Sequence, residues 1–419
     1  MISWEYDAPA KLPGRGTAPQ LYDSSSGHLV DTAPQSGEAT LYVCGITPYD
    51  AAHLGHAYTY LAFDTLQRVW MDAGLNVHYA QNITDIDDPL LERAEQTHED
   101  WQALAHRQIE LFTQDMASLR LLPPKNFVAV TESIDSIARA VHALAERGLV
   151  YPLSSEDVDG QDLYFDIIAA NTLTEWSLGD VCGLELDDML RLSRERGGDP
   201  NRPGKRNPLD PLLWRAERAG EPAWNSPVGR GRPGWHIECS EIATSALGPE
   251  ITVQGGGVDL LFPHHEFSSA HATGLTGRPL AQVFAHAGMV EYQGQKMSKS
   301  RGNLVFVHQL VSVGIDPMAI RLALLKHHYR SSWEWFDDFA PKAMRQLALW
   351  RERLSIRDQL PTEYRTDSGE ILLAGVRRML ADDMNTPAAL ELIESAIIEG
   401  TAPPTLIRAI GDSLLGLKL

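Results

Sequence analysis

Between Ala39 and Asp88 the apolar pattern changes period twice. "ATLYVCG" is a short, β-leaning apolar run closed by Gly45, the pattern of a buried strand. In "TPYDAAHLGHAYTYLAFDTLQRVWMDAG", Leu61, Thr65, Leu66, Val69 and Trp70 recur at helical spacing, and Gly74 is placed to end the helix. "LNVHYAQNITDIDD" predicts a second buried strand, so the order strand–helix–strand opens a parallel α/β sheet. Ahead of it, residues 1–38 are rich in Pro, Gly and Ser and predict little regular structure.

Residues 92–150 carry mainly helical patterns, broken at "LLPPK". From about 151 to 233 the periodicity degrades into Gly, Pro and charge, which predicts an insertion of irregular loops. Sheet character returns with "ITVQGGGVDLLFPHH" and "VFAHAGMVEYQGQKMSKS". Beyond about residue 311 amphipathic helical runs follow near 316–328, 338–358, 369–382 and 387–400.

A chain of 419 residues exceeds one core, so two or three domains are expected. Its 36 basic against 56 acidic residues argue against a broad nucleic-acid surface, because phosphate contact is carried mainly by Lys and Arg. The N-terminus has no apolar run fit for a signal peptide, and no stretch approaches the roughly 18 apolar residues of a membrane span. Three widely separated cysteines do not form a disulfide framework, and a reducing cytoplasm is the simplest setting.

His53-Leu54-Gly55-His56 falls where the first strand hands over to the first helix, and a helix N-terminus with two nearby imidazoles suits a phosphate. Two ordinary histidines at a helix cap would give the same pattern. Lys296-Met297-Ser298-Lys299-Ser300 follows a sheet segment, and its ammonium groups suit a pyrophosphate leaving group. A solvated charged turn has the same composition. The two clusters in this order, about 240 residues apart, together resemble the two nucleotide motifs of the class I aminoacyl-tRNA synthetases. That resemblance implies ATP-dependent carboxylate activation through an acyl-adenylate.

Cys44, Cys239 in "RPGWHIECS" and His264-His265 offer thiol and imidazole donors from distant segments. No Cys-x-x-Cys pair exists, and buried free cysteines commonly pack as small hydrophobes, the reading given to Cys182. The surrounding words, "YVCGITPYD", "HLGHA", "RPGWHIECS", "GGGVDLLFPHHE", "KMSKSRGN" and "DDMNTP", closely resemble the cysteinyl-tRNA synthetase family over about residues 21–395. The resemblance implies one Zn2+ on Cys44, Cys239 and His264, with the sulfur of substrate cysteine as a further ligand. It implies that Gly45, Ile46, Thr47 and Trp235 hold the cysteinyl moiety. It places Thr59, Asn82, Ile83, Thr84, Gly257, Val258, Asp259 and Val290 at the adenylate, and His53, His56, Lys296 and Lys299 at the phosphates of MgATP. Composition alone leaves Trp235 and Val290 open as core residues.

Three departures separate the chain from the synthetases. Ser268 stands where they carry a fourth, glutamate ligand, with Glu266 on another face of the turn. After "DDMNTP" about 32 residues remain, so no anticodon-binding domain is expected. "ERGGDP", Glu195–Pro200, replaces a lysine-rich segment, and Tyr58 stands where Arg is usual. These features resemble a ligase branch of the family that joins cysteine to the amine of glucosaminyl-inositol in mycothiol biosynthesis. The expectation is therefore an α/β protein with a Rossmann-like parallel-sheet catalytic domain of class I synthetase type in two halves, 1–118 and 234–310, around an insertion at 119–233, followed by a helical domain at 311–419. Its expected partners are L-cysteine, ATP and glucosaminyl-inositol, without tRNA or membrane, acting on a monomer. A compact cysteinyl-tRNA synthetase and a non-catalytic relative that only binds are the alternatives.

Overall fold

A computed structural model describes residues 1–154, 160–297, 302–360 and 367–419. Strands β1 (Gln20–Asp23) and β2 (His28–Asp31) pair antiparallel within the segment expected to lack regular structure. Their hairpin is anchored from outside: the buried Asp23 carboxylate accepts the Phe284 N–H at 2.8 Å. Local composition does not reveal such a long-range tie.

Strand β3 (Glu38–Val43), helix α1 (Leu54–Asp72) and strand β4 (Asn76–Ile83) follow as the apolar pattern predicts. The His53 imidazole caps α1, accepting the Gly55 N–H at 3.0 Å. Leu61, Thr65, Leu66, Val69 and Trp70 are all buried, but so are Leu54, Ala57, Tyr58 and Phe63, so α1 is enclosed on nearly every side. Helices α2 (Asp88–Thr97) and α3 (Trp101–Ser118), strand β5 (Asn126–Ala129) and helix α4 (Ile134–Glu146) come next.

The segment read as irregular holds strands β6 (Val150–Ser154) and β7 (Gln161–Phe165), helices α5 (Ile167–Leu173) and α6 (Leu186–Glu195), and strands β8 (Leu212–Ala216) and β9 (Gly231–Pro233). Its four strands form an antiparallel sheet in the order β6-β7-β8-β9. Charges obscured this sheet in the sequence. Asp162 is wholly buried, and Arg202 and Arg218 pair with it at 2.7 and 2.8 Å. Residues that read as loop are thus satisfied inside the sheet.

The chain then returns through helix α7 (Trp235–Leu247), strand β10 (Ile251–Gly257), helix α8 (Glu266–Thr276), strand β11 (Ala281–Ala287) and the short strands β12 (Val290–Tyr292) and β13 (Gln295–Lys296). Helices α9 (Val307–Ser312) and α10 (Pro317–Leu325), strand β14 (Trp333–Trp335) and helices α11 (Phe339–Asp358), α12 (Ser368–Ala381), α13 (Thr386–Glu399) and α14 (Pro404–Leu415) complete it.

The central sheet is parallel, in the order β11-β10-β3-β4-β5. Its edge strand β5 comes from within 119–233, so the sheet reaches past residue 118. Alternate residues enter two cores: Leu41, Val43, Val253 and Val283 face α1 and the C-terminal helices, whereas Tyr42, Ala80 and Phe284 face α4, α7 and α8. β3 hydrogen-bonds β4 on one side and β10 on the other. The strand order reverses there, and in parallel sheets a crevice at the carboxyl ends of such strands is the ligand position. Among the described residues, no helix is long and apolar enough to cross a membrane.

Candidate active site

The crevice is a cleft of about 430 Å³. Cys44, Gly45, Ile46 and Thr47 enter it from the end of β3, and His53, His56 and Thr59 from the start of α1. Gly257, Val258 and Asp259 enter from the end of β10, with Val290 and Lys296 opposite and Trp235 at the head of α7. Thirteen of the residues expected at the site thus line one cleft. Lys299 lies outside the described residues.

The first nucleotide motif is tied to the segment that follows the second one in the chain. The Leu54 N–H donates to the Val305 carbonyl at 2.8 Å, and His53 and Phe306 form a β-bridge. The His53 and His56 rings lie 4.0 Å apart. Burial lowers His53 to about 2, with His56 and Lys296 adding to the effect. Burial likewise lowers His56 to about 4, against the pull of Asp259. Both imidazoles are therefore neutral at pH 7, hydrogen-bonding groups rather than cations. His56 Nδ1 is buried without a hydrogen-bond partner. Across the cleft, the Lys296 ammonium donates to Asp259 at 2.9 Å. Burial raises the Asp259 pKa, but Lys296 and Arg196 outweigh it and hold the carboxyl below its ordinary value.

Asn82, Ile83 and Thr84 stand one layer behind the cleft, all buried. The Asn82 side-chain oxygen accepts from the Tyr42 hydroxyl at 3.0 Å, the Gly45 N–H at 2.8 Å and the Cys239 thiol at 3.6 Å. The Thr84 N–H donates to the Ile46 carbonyl at 3.0 Å. These residues shape the 44–47 turn from below.

Cys44, Cys239 and His264 come together with their donor atoms within 4.8 Å of one another, all buried. Burial first, and Cys44 second, push the Cys239 thiol well above its ordinary pKa, so ionising it calls for a cation. Two sulfurs and one imidazole suit a borderline-soft divalent metal. The shell behind the trio is already built. His236 Nδ1 lies 3.1 Å from His264 Nδ1, and the Trp235 ring stacks on His264 at 4.3 Å. The Cys44 sulfur meets His265 Nε2 at 3.3 Å and accepts from Gln254 at 3.4 Å. His265 continues to His286 at 2.8 Å, and His286 to the Ser24 hydroxyl at 2.8 Å. Sequence reasoning missed Gln254 and His286, and offered His265 only as an imidazole donor beside His264. Their adjacency to "GGG", His264 and "HAG" was the available signal, but only the fold shows that they converge.

Neither candidate for a fourth protein ligand is free. Glu266 accepts from Trp176 Nε1 and from the N–H groups of Gly179, Val181 and Cys182, at 2.9–3.0 Å. The Ser268 hydroxyl donates to the His236 carbonyl at 3.2 Å. Cys182 is a buried thiol whose pKa burial, then Glu266, pushes up to about 12, in keeping with a core residue.

Parallel-sheet topology, a helix-capping histidine motif and a lysine strand closing the cleft define a class I synthetase-type catalytic unit. Residues 31–345 match the tRNA synthetases class I (C) catalytic domain. Solved structures share the fold at low identity. Methionyl-tRNA synthetase of Mycobacterium tuberculosis with methionyl-adenylate superposes with a TM-score of 0.63 at 18% identity, covering 86% of this chain and 82% of that one. A leucyl-tRNA synthetase of Agrobacterium radiobacter in complex with tRNA gives 0.62 at 13% identity, over 92% and 85%. Within that class the chain belongs to the L-cysteine:1D-myo-inositol 2-amino-2-deoxy-alpha-D-glucopyranoside ligase family. It is 54% identical to the Clavibacter sepedonicus ligase over 95% of this chain and 99% of the relative. It is 53% identical to that of Thermobispora bispora over the full length of both.

Proposed function

We propose that this chain ligates L-cysteine to the amine of glucosaminyl-inositol with MgATP, through a cysteinyl-adenylate, as a step of mycothiol biosynthesis. One observation carries the reading: Cys44, which meets Cys239 and His264, and the His53–His56 pair line one cleft from the same strand-to-helix turn. Sulfur selection and phosphate chemistry therefore meet at one substrate carboxylate. The full-length likeness to cysteine ligases supports the acceptor.

Cys44, Cys239 and His264 would hold Zn2+, a soft Lewis acid that favours the substrate's sulfur over the oxygen of serine. Gly45, Ile46 and Thr47 hold the cysteinyl moiety beneath Trp235, while Asn82 and Thr84 fix that turn from behind. Asp259 accepts from the ribose hydroxyls, and Val258 and Val290 flank the nucleoside with Thr59. His53 and His56, neutral, donate to the α-phosphate as the carboxylate oxygen attacks it. Lys296 and Lys299 stabilise the departing pyrophosphate. In the second step the acceptor nitrogen forms a bond to the cysteinyl carbonyl carbon, the carbon–oxygen bond to phosphate breaks, and AMP leaves. An amine is a stronger nucleophile than the hydroxyl of a tRNA, so this step depends chiefly on positioning.

Pyrophosphate exchange into ATP tests the first step. Exchange should require cysteine and ignore serine. Cys239→Ser should lose bound zinc and cysteine-dependent exchange together, and a Cys239→Ser protein with normal zinc content would refute the ligand assignment.

A further inference from the structure

Nine residues, 258–266, carry Asp259 to the nucleoside end of the cleft and His264 to the thiol end. This stretch has no regular ladder of its own. It runs through two short helical turns, and Phe262 interrupts the second with extended dihedrals of −138° and 135°. Its shape is set from outside, at both ends, by one segment of the chain.

At the first end, the Arg196 guanidinium donates through a single nitrogen to the carbonyls of Asp259 and Phe262. Arg196 belongs to "ERGGDP", the segment in which the chain departs from the synthetases. Its neighbour Asp199 is occupied elsewhere, with Tyr164 and Lys205. At the other end, the wholly buried Glu266 carboxylate takes four N–H donors from Trp176 to Cys182. A carboxylate is the only common side chain that accepts on both oxygens, so glutamine would turn its NH2 towards two donors.

We propose that residues 176–196 act as a brace on the 258–266 segment, with Arg196 and Glu266 as positioning residues: Arg196 sets Asp259 against the nucleotide, and Glu266 sets His264 against the thiol. The inference rests on the function proposed above. It divides the labour between the two grips. Loss of the Arg196 grip displaces the ribose-facing carboxylate and leaves the thiol end intact. Loss of the Glu266 grip displaces a metal ligand and leaves the nucleotide end intact.

The test compares purified wild type, Arg196→Met and Glu266→Gln for thermal unfolding, zinc per chain, and KM for ATP and for cysteine in pyrophosphate exchange. Arg196→Met should raise KM for ATP about tenfold with zinc unchanged. Glu266→Gln should raise KM for cysteine and lower zinc affinity about tenfold, the lower end of the loss when a partner of a metal ligand is removed, because Glu266 holds the backbone beside His264 and not its ring. Should Glu266→Gln not fold, Arg196→Met, on a half-buried side chain, still decides for its end. A fall in kcat with both KM values and the zinc content unchanged would overturn the brace, because that result reports only fewer folded molecules. Wild type without cysteine-dependent exchange would instead overturn the proposed function on which the brace depends.

Discussion

The Asn82 side chain and the Gly45 backbone are locked together: the Gly45 N–H donates to Asn82 Oδ1 at 2.8 Å, and a Cβ on Gly45 would lie 1.6 Å from the Asn82 carbonyl oxygen. The turn bearing Cys44 can therefore approach β4 only with glycine at position 45. Asn82→Ala should destabilise the protein by about 1–3 kcal/mol in urea unfolding, since it strands the part-buried Gly45 N–H and the buried Tyr42 hydroxyl. It should also raise KM for cysteine. Unchanged stability would mean that the Gly45 turn is held by something else. Gly45→Ala cannot be accommodated without shifting a backbone strand and should cost more than Asn82→Ala.

Lys296 bridges the cleft to Asp259 at 2.9 Å. Its proposed task appears only as pyrophosphate leaves, so removing it should slow the chemical step rather than weaken cysteine binding. Lys296→Ala is expected to reduce single-turnover adenylate formation by about 100-fold or more, with the dissociation constant for cysteine changed less than about twofold. Parallel losses in rate and cysteine binding would contradict a transition-state role.

Acidification should weaken the fold well above the range where carboxylates titrate. Burial is the leading cause that lowers His53 to about 2, His271 to about 3, and His56 and His286 to about 4. In the unfolded chain these imidazoles ionise near 6.5, so below that pH the unfolded state binds more protons than the folded one. Stability then falls as pH falls, by up to about 1.4 kcal/mol per pH unit for each such proton. Raised carboxyls such as Asp115, at about 6, and Glu238, well above its ordinary value, both mainly by burial, have the opposite sign, but burial also lowers His236, His265 and His327, which add to the histidine side. The midpoint of thermal unfolding should drop from pH 7 to pH 5. A flat or rising midpoint would contradict buried, neutral imidazoles.

Strands β3, β4 and β10 were legible as short β-leaning runs bounded by Gly or polar residues, and helix α1 as a long apolar run of helical period. The cleft residues were legible for a different reason, their wording in motifs that frame a strand-to-helix turn. What escaped was long-range. The β1–β2 hairpin depends on Asp23 reaching Phe284, and the β6–β9 sheet on Asp162 holding two arginines. Asn82 was read as a pocket residue from its motif, yet its oxygen serves the turn behind the pocket. Partners of this kind come from distant parts of the chain, and no local pattern encodes them.

The most direct test of cysteine transfer to an amino sugar is AMP release. The pure protein would be incubated with ATP and labelled cysteine, then given either glucosaminyl-inositol or tRNA. AMP formed with the amino sugar, together with a labelled amide and none with tRNA, is the predicted result. AMP formed with tRNA alone would contradict the account and identify a synthetase instead.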